Sequence, residues 1–187
     1  MLKKCNKHKN FRFNNKKGTI KIEIKKGRDV MLQQYQKIMV AVDGSNEAEL
    51  AFQKAVNIAR RNNASLLLVH VIDTRAFQDV NSFDSMLAEQ ATDLAKQSLS
   101  DYSENAKNEG VESVETTIEY GSPKIIIAKQ IPEDQNVDLI ILGATGLNAV
   151  ERLFIGSVSE YVTRNALCDV LIVRTDAENK QPEIEEG

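Results

Sequence analysis

Short, almost wholly apolar runs recur along this chain at Ile38-Met-Val-Ala-Val42, Ser65–Ile72, Val137-Asp-Leu-Ile-Ile-Leu142 and Cys168-Asp-Val-Leu-Ile-Val173, each stopping at a glycine or a polar residue. Such runs are what a strand buried on both faces looks like in sequence. Between them apolar residues return every three or four positions, the period of a helix with one buried face. A fifth strand-like stretch, residues 111–120, alternates apolar and polar and so belongs at an edge or a less buried position. The order β-α-β-α-β-α-β-α-β predicts an α/β fold: a mainly parallel sheet, helices on both faces, right-handed crossovers.

The punctuation agrees. Ser45 or Asn46 can cap the first helix, which buries Ala48, Ala51, Phe52, Ala55, Val56 and Ala59 and closes at Asn62-Asn63. The second helix covers residues 82–108, with Phe83, Leu87, Ala91, Leu94 and Ala95 as its apolar stripe and Met86 and Tyr102 at core or rim. Gly121-Ser-Pro123 opens a third, whose buried side carries Ile125, Ile126, Ile127 and Ile131; Pro132 or the polar run 133–136 ends it. A fourth covers residues 158–167.

The formal charge of −3 conceals two regions: residues 1–30 carry 11 Lys and Arg against Glu23 and Asp29, and the rest carries 13 against 25. An arm near +9 thus precedes a body near −12. A body that acidic repels phosphate backbones, so nucleic-acid binding by it is disfavoured and would fall to the arm with its Phe11 and Phe13. The expected organisation is a basic, disordered extension over residues 1–34, one folded domain over 35–175 and an acidic, disordered tail over 176–187. Lys25-Lys-Gly-Arg-Asp is what a purine-rich ribosome-binding site would give if translated, so Met31 is the expected natural start; intact mass tests this.

Cys5 and Cys168 form no CxxC or Cys/His cluster, which suggests neither disulfide nor zinc and fits a reducing cytoplasm. No apolar run reaches the ~18–20 residues of a membrane span, and a soluble cytoplasmic protein is expected. His70 stands alone in its strand, where a hydrogen-bonded structural role is expected over catalysis.

Chemistry concentrates in Gly143-Ala-Thr-Gly-Leu-Asn-Ala-Val-Glu-Arg-Leu-Phe-Ile-Gly-Ser-Val-Ser159. Gly143 and Gly146 let the backbone turn sharply and an anion approach its N–H groups, and Gly156-Ser157 does the same where a helix begins. In a sheet of this kind ligands bind beyond the carboxyl ends of the strands where strand order reverses, which gathers Asp43, Val71 and residues 142–146 around one crevice. A phosphate-bearing ligand follows. GxxxxGK[ST], GxGxxG, GxSxG and HExxH are all missing, so binding is better supported than turnover. Asp43 could instead make only a turn, the glycines could be loop punctuation, and Ser157 could be a plain N-cap.

Gly143-x-x-Gly146, nine residues, then Gly156-Ser157 match the G-x2-G-x9-G-S/T signature of the ATP-binding universal stress proteins. Ile38-Met-Val-Ala-Val-Asp-Gly-Ser45, Leu66-Leu-Leu-Val-His-Val71, Tyr120-Gly-Ser-Pro123 and Cys168-Asp-Val-Leu-Ile-Val-Arg174 also resemble that family, so the likeness runs from Tyr35 to Arg174. The resemblance implies a five-stranded parallel sheet of order 3-2-1-4-5, a Rossmann-like fold of the adenine nucleotide alpha hydrolase-like type. It implies that Ala41, Val42 and Asp43 line the nucleoside with Val71 near the base. By the same likeness Leu142, Gly143 and Gly146 approach ribose and phosphates, and Gly156, Ser157, Val158 and Ser159 bind the triphosphate. It also implies a homodimer through the strand edge Val170-Leu-Ile-Val173.

The expected function is ATP binding as a regulatory ligand in stress response, with at most slow hydrolysis and an unidentified regulatory protein partner. The segment 145–155 sets Glu151 against Arg152 and holds no lysine, so Mg2+ on the phosphates is needed to offset repulsion. Two alternatives stand beside it: a nucleotide hydrolase or adenylyl-transferring relative on the same sheet, and an interaction module that binds AMP, cyclic AMP or no nucleotide.

Overall fold

The computed structural model describes residues 34–77, 84–146 and 155–174. The basic arm through residue 33, Phe83, the segment 147–154 with Glu151 and Arg152, and the tail from residue 175 lie outside the described residues, as do the side chains of Met86 and Leu87. The strands are β1 (Lys37–Ala41), β2 (Ser65–Ile72), β3 (Val114–Tyr120), β4 (Leu139–Gly143) and β5 (Asp169–Val173). All are parallel, in the order β3-β2-β1-β4-β5 that the resemblance implied. Burial follows position: every residue of inner β4 is buried, whereas β3, the alternating strand, takes one edge and exposes Glu115, Thr116 and Tyr120.

Alternate side chains of the inner strands feed two cores. Ile38, Val40, Leu66, Leu68 and Ile141 meet the helices α1 (Asn46–Asn62) and α2 (Asp84–Asn108). Met39, Leu67, Val69, Ile140 and Leu142 meet residues 126–131 and α5 (Ser157–Asn165) on the opposite face. Ser45 is the α1 cap, its Oγ accepting the Ala48 N–H at 3.2 Å, and Asn63 closes the helix in the left-handed conformation at φ 54°. α2 buries Ala95, Leu99, Tyr102 and Ala106, and the Tyr102 ring tilts onto Phe52 with centroids 4.6 Å apart. Burial, and a hydrogen bond to Glu49, push the Tyr102 phenol above its usual range.

Three expectations about helices need correction. Leu94 is 73% exposed, because it precedes Ala95 by one residue and so sits about 100° around the helix from the buried stripe. Ile125 is likewise exposed, while Ile126, Ile127 and Ile131 are buried. Of the two ends expected for the third helix, the polar run is the one observed: α3 (Pro123–Ile125) widens into a π-helical turn, Ile126–Gln130, and continues past Pro132 as α4 (Ile131–Gln135) to a left-handed cap at Asn136. The wider turn makes room for a ring that lacks an N–H and would clash with the preceding turn. α5 starts one residue earlier and stops two residues sooner than expected, where Ala166 turns extended at ψ 148°.

Candidate functional site

Register alone carves a notch into the sheet. Ala41, the last residue of β1, pairs with Val69, yet β2 runs on to Ile72, about 10 Å further at ~3.3 Å per residue. On the other side Val40 pairs with Ile141, which sets Gly143 level with Val42 and carries the turn 144–146 above the end of β1. This is also where strand order reverses: β2 and β3 lie to one side of β1, β4 and β5 to the other. The notch is therefore walled by Val71 and Ile72 on one flank and by the glycine turn on the other.

Asp43 stands at its base on the exposed side. Its Oδ1 accepts the Ser45 N–H at 3.0 Å and the Ser45 hydroxyl at 2.6 Å, so the turn role and an oriented carboxylate coexist. The carboxylate leans over Gly146: a Cβ on that glycine would lie 2.5 Å from Asp43 Oδ2. Gly156 closes from above, its N–H donating to the Ala144 carbonyl at 2.7 Å, and a Cβ there would meet that oxygen at 3.2 Å and Thr145 Cα at 3.4 Å. Two glycine turns ten positions apart in sequence thus meet beside Asp43.

Gly156, not Ser157, is the N-cap of α5; having no side chain it offers the first-turn N–H groups no acceptor, and Ser157 is the exposed first helical residue. The remaining predicted residues divide. Ala41 and Val71 are half-buried at the notch, whereas Val42 is buried and donates its N–H to Val69 at 2.9 Å. The Leu142 side chain lies in the core, which leaves only its backbone to the notch, and Val158 packs half-buried against the same core. Gly143 faces helix α1: its Cβ would sit 2.7 Å from Glu47 Cβ and 2.9 Å from the Glu47 carbonyl carbon. Ser159 is buried and donates its hydroxyl to the Gly143 carbonyl at 2.7 Å, so it braces the turn.

Sequence reading passed over Thr145 and Glu47, which with Ser45 and Ser159 are the buried polar residues among those described. The motif treats Thr145 as a spacer, and Glu47 reads as a first-turn acid suited to the helix dipole. Arg75 follows β2 and is committed to Asp73, donating from Nε at 2.8 Å and from its backbone at 3.1 Å; this holds the Asp73 carboxyl below its usual range. No cluster of three or more His, Cys, Asp or Glu suited to a metal occurs among the described residues. A groove of about 570 Å³ between α2 and β3, lined by Lys96, Ser100, Ser103, Thr116 and Thr117 among others, contains none of the predicted residues.

A parallel sheet of this order with a glycine-lined notch at its reversal point is a Rossmann-like α/β fold, the kind of protein in which ligands bind in such crevices. The chain matches the universal stress protein family over residues 34–174 and belongs to it. It is 48% identical over 152 residues to a protein of Staphylococcus haemolyticus (strain JCSC1435) assigned to the same family, covering 80% of this chain and 92% of that one. Among solved structures it resembles universal stress protein UspA from Lactobacillus plantarum, with TM-score 0.68, 35% identity, and 75% and 99% of the two chains covered. It also resembles a universal stress protein crystallised with cAMP, with TM-score 0.58, 26% identity, and 75% and 98% covered.

Proposed function

We propose that this universal stress protein binds an adenine nucleotide, ATP with Mg2+ on its phosphates, in the notch above β1, and that the nucleotide regulates a stress response in the cytoplasm. The observation that carries this reading is the meeting of Gly146 and Gly156 beside Asp43, packed so closely that a Cβ on either glycine would press on the Asp43 carboxylate or on the Ala144–Thr145 backbone. Ala41, Val42, Asp43 and Val71 receive the nucleoside. Leu142 and Gly143 lend backbone, Gly146 admits ribose and phosphate, and the N–H groups at Ser157 and Val158 face the anion above Gly156, whose own N–H is held by the Ala144 carbonyl, with Ser159 bracing the turn.

A second reading, that a monophosphate such as AMP or cAMP is preferred, draws on the relative crystallised with cAMP and on the acidic body, which penalises each added phosphate charge. The molecule pairs through β5, an edge strand whose Val170, Leu171 and Ile172 are only half-buried. Nucleotide released from denatured purified protein, followed by titration with ATP with and without Mg2+, AMP and cAMP, tests the reading. Absence of co-purifying nucleotide together with no binding of any of the three at millimolar concentration refutes it.

A further inference from the structure

We propose that the Thr145 hydroxyl is a phosphate-binding group of this site, an assignment that rests on the nucleotide reading above. Four polar or charged residues are buried among those described: Ser45, Glu47, Thr145 and Ser159. Three have partners. Ser45 bonds Asp43 and the Ala48 N–H, Ser159 bonds the Gly143 carbonyl, and Glu47 also interacts within the protein. Thr145, only 7% exposed, has no described hydrogen bond through its hydroxyl. A buried hydroxyl without a partner is disfavoured, and in a native protein it points to a partner supplied from outside the chain.

Its position says which partner. Thr145 lies between Ala144, whose carbonyl takes the Gly156 N–H, and Gly146, which abuts the Asp43 carboxylate. Gly156, the cap of α5, would touch Thr145 Cα if it carried a Cβ. Thr145 is thus a buried residue where both glycine turns and an uncapped helix N-terminus converge. An anionic oxygen seated there accepts from the helix N–H groups and from this O–H together, and a hydroxyl is a donor that brings no charge.

The test compares Thr145→Val, which keeps the shape and removes the donor, with Thr145→Ser, which keeps the donor. ATP and adenosine are the two probes, and melting is followed without ligand. Thr145→Val should weaken ATP roughly ten- to hundredfold, the range for a hydrogen bond to a charged group. It should leave adenosine unchanged and melt at or above the wild-type temperature, while Thr145→Ser restores ATP affinity. Equal ATP binding by Thr145→Val overturns the assignment, as does equal weakening of ATP and adenosine. Early melting of the ligand-free Val variant also overturns it, because the hydroxyl would then serve the fold. If the wild-type protein binds neither probe, the nucleotide reading itself fails; if it binds both and only the Val comparison fails, that reading survives and the Thr145 assignment does not.

Discussion

Alanine at Gly143 should damage the fold, whereas alanine at Gly146 should damage the site. A Cβ at Gly143 would lie 2.7 Å from Glu47 Cβ, 2.9 Å from the Glu47 carbonyl carbon and 3.1 Å from the Ala48 nitrogen. Those atoms belong to the first turn of α1, which its Ser45 cap anchors, so the neighbours are fixed backbone and the helix itself must shift. Overpacking of this kind costs about 1–3 kcal/mol. Gly143 is not among the positive-φ glycines, so alanine is not strained there and recovers about 0.4–1 kcal/mol by restricting the unfolded chain. The net loss is roughly 1–2 kcal/mol, a fall of about 3–8 °C in melting temperature for a domain of this size. At Gly146 the Cβ would meet Asp43 Oδ2 at 2.5 Å and otherwise nothing nearer than 3.8 Å, and a carboxylate can swing aside. Gly146→Ala should therefore melt close to wild type but bind ATP more weakly, because the carboxylate it displaces belongs to the proposed nucleotide site. Thermal melts by circular dichroism and ATP titration separate the two. A Gly143→Ala variant that melts with the wild type and loses only ATP binding would refute this account and place Gly143 against the ligand.

Ser45→Ala removes the α1 cap and the shorter of the two Ser45 hydrogen bonds that orient Asp43. It should cost about 1 kcal/mol of stability and weaken ATP binding as well; a variant that melts early yet binds ATP normally would show that Asp43 needs no bracing. Burial, with Asp138 and Asp169 nearby, pushes the Cys168 thiol up to about 11. With the folded value raised, the native thiol stays protonated as pH rises past the unfolded value. In a Cys5→Ser background Cys168 should alkylate about 100-fold more slowly at pH 8 when native than when unfolded, since the thiolate is the nucleophile. Equal rates, followed by iodoacetamide mass labelling, would contradict that burial.

The strands were legible because the inner ones are apolar on both faces and the edge strand β3 alternates, although β5, the other edge, is as apolar in sequence as the centre. The strand order came from the likeness to a family, since local periodicity carries no information on which strand neighbours which. Leu94 misled because an apolar residue one position off a stripe cannot be told from a member of it without the packing partner. Pro132 and the polar run after it could not be separated as the end of the third helix, because a π-helical turn that carries the helix past a proline is invisible to propensity. In the site, spacing singled out the glycines but not what each faces: Gly146 meets Asp43, Gly143 meets α1. Thr145 was hidden, and Ser159 was assigned to phosphate rather than to the Gly143 carbonyl, for the same reason: a hydroxyl's role depends on burial and partners rather than on its place in a motif.

The same contacts connect the notch to the edge of the sheet. Gly143 pairs in register with Val173, the Ala144 N–H donates to the Val173 carbonyl at 2.7 Å, and the Ala144 carbonyl in turn takes the Gly156 N–H at 2.7 Å. The last residue of edge strand β5, the glycine turn and the cap of α5 are therefore joined by consecutive hydrogen bonds, braced by Ser159 on Gly143. An anion that draws the turn and the α5 N-terminus together acts on the strand through which the molecule is proposed to pair. Linkage makes such coupling reciprocal: whatever factor pairing changes ATP affinity by, ATP changes the dimer constant by the same factor, commonly about 5–150-fold. Sedimentation of the protein alone, with Mg-ATP and with adenosine should show a dimer constant that moves with ATP and much less with adenosine, which lacks the phosphates that reach the turn. An unchanged dimer constant at saturating ATP would mean that the Ala144–Val173 bond transmits nothing, and that nucleotide and edge are independent features of one sheet.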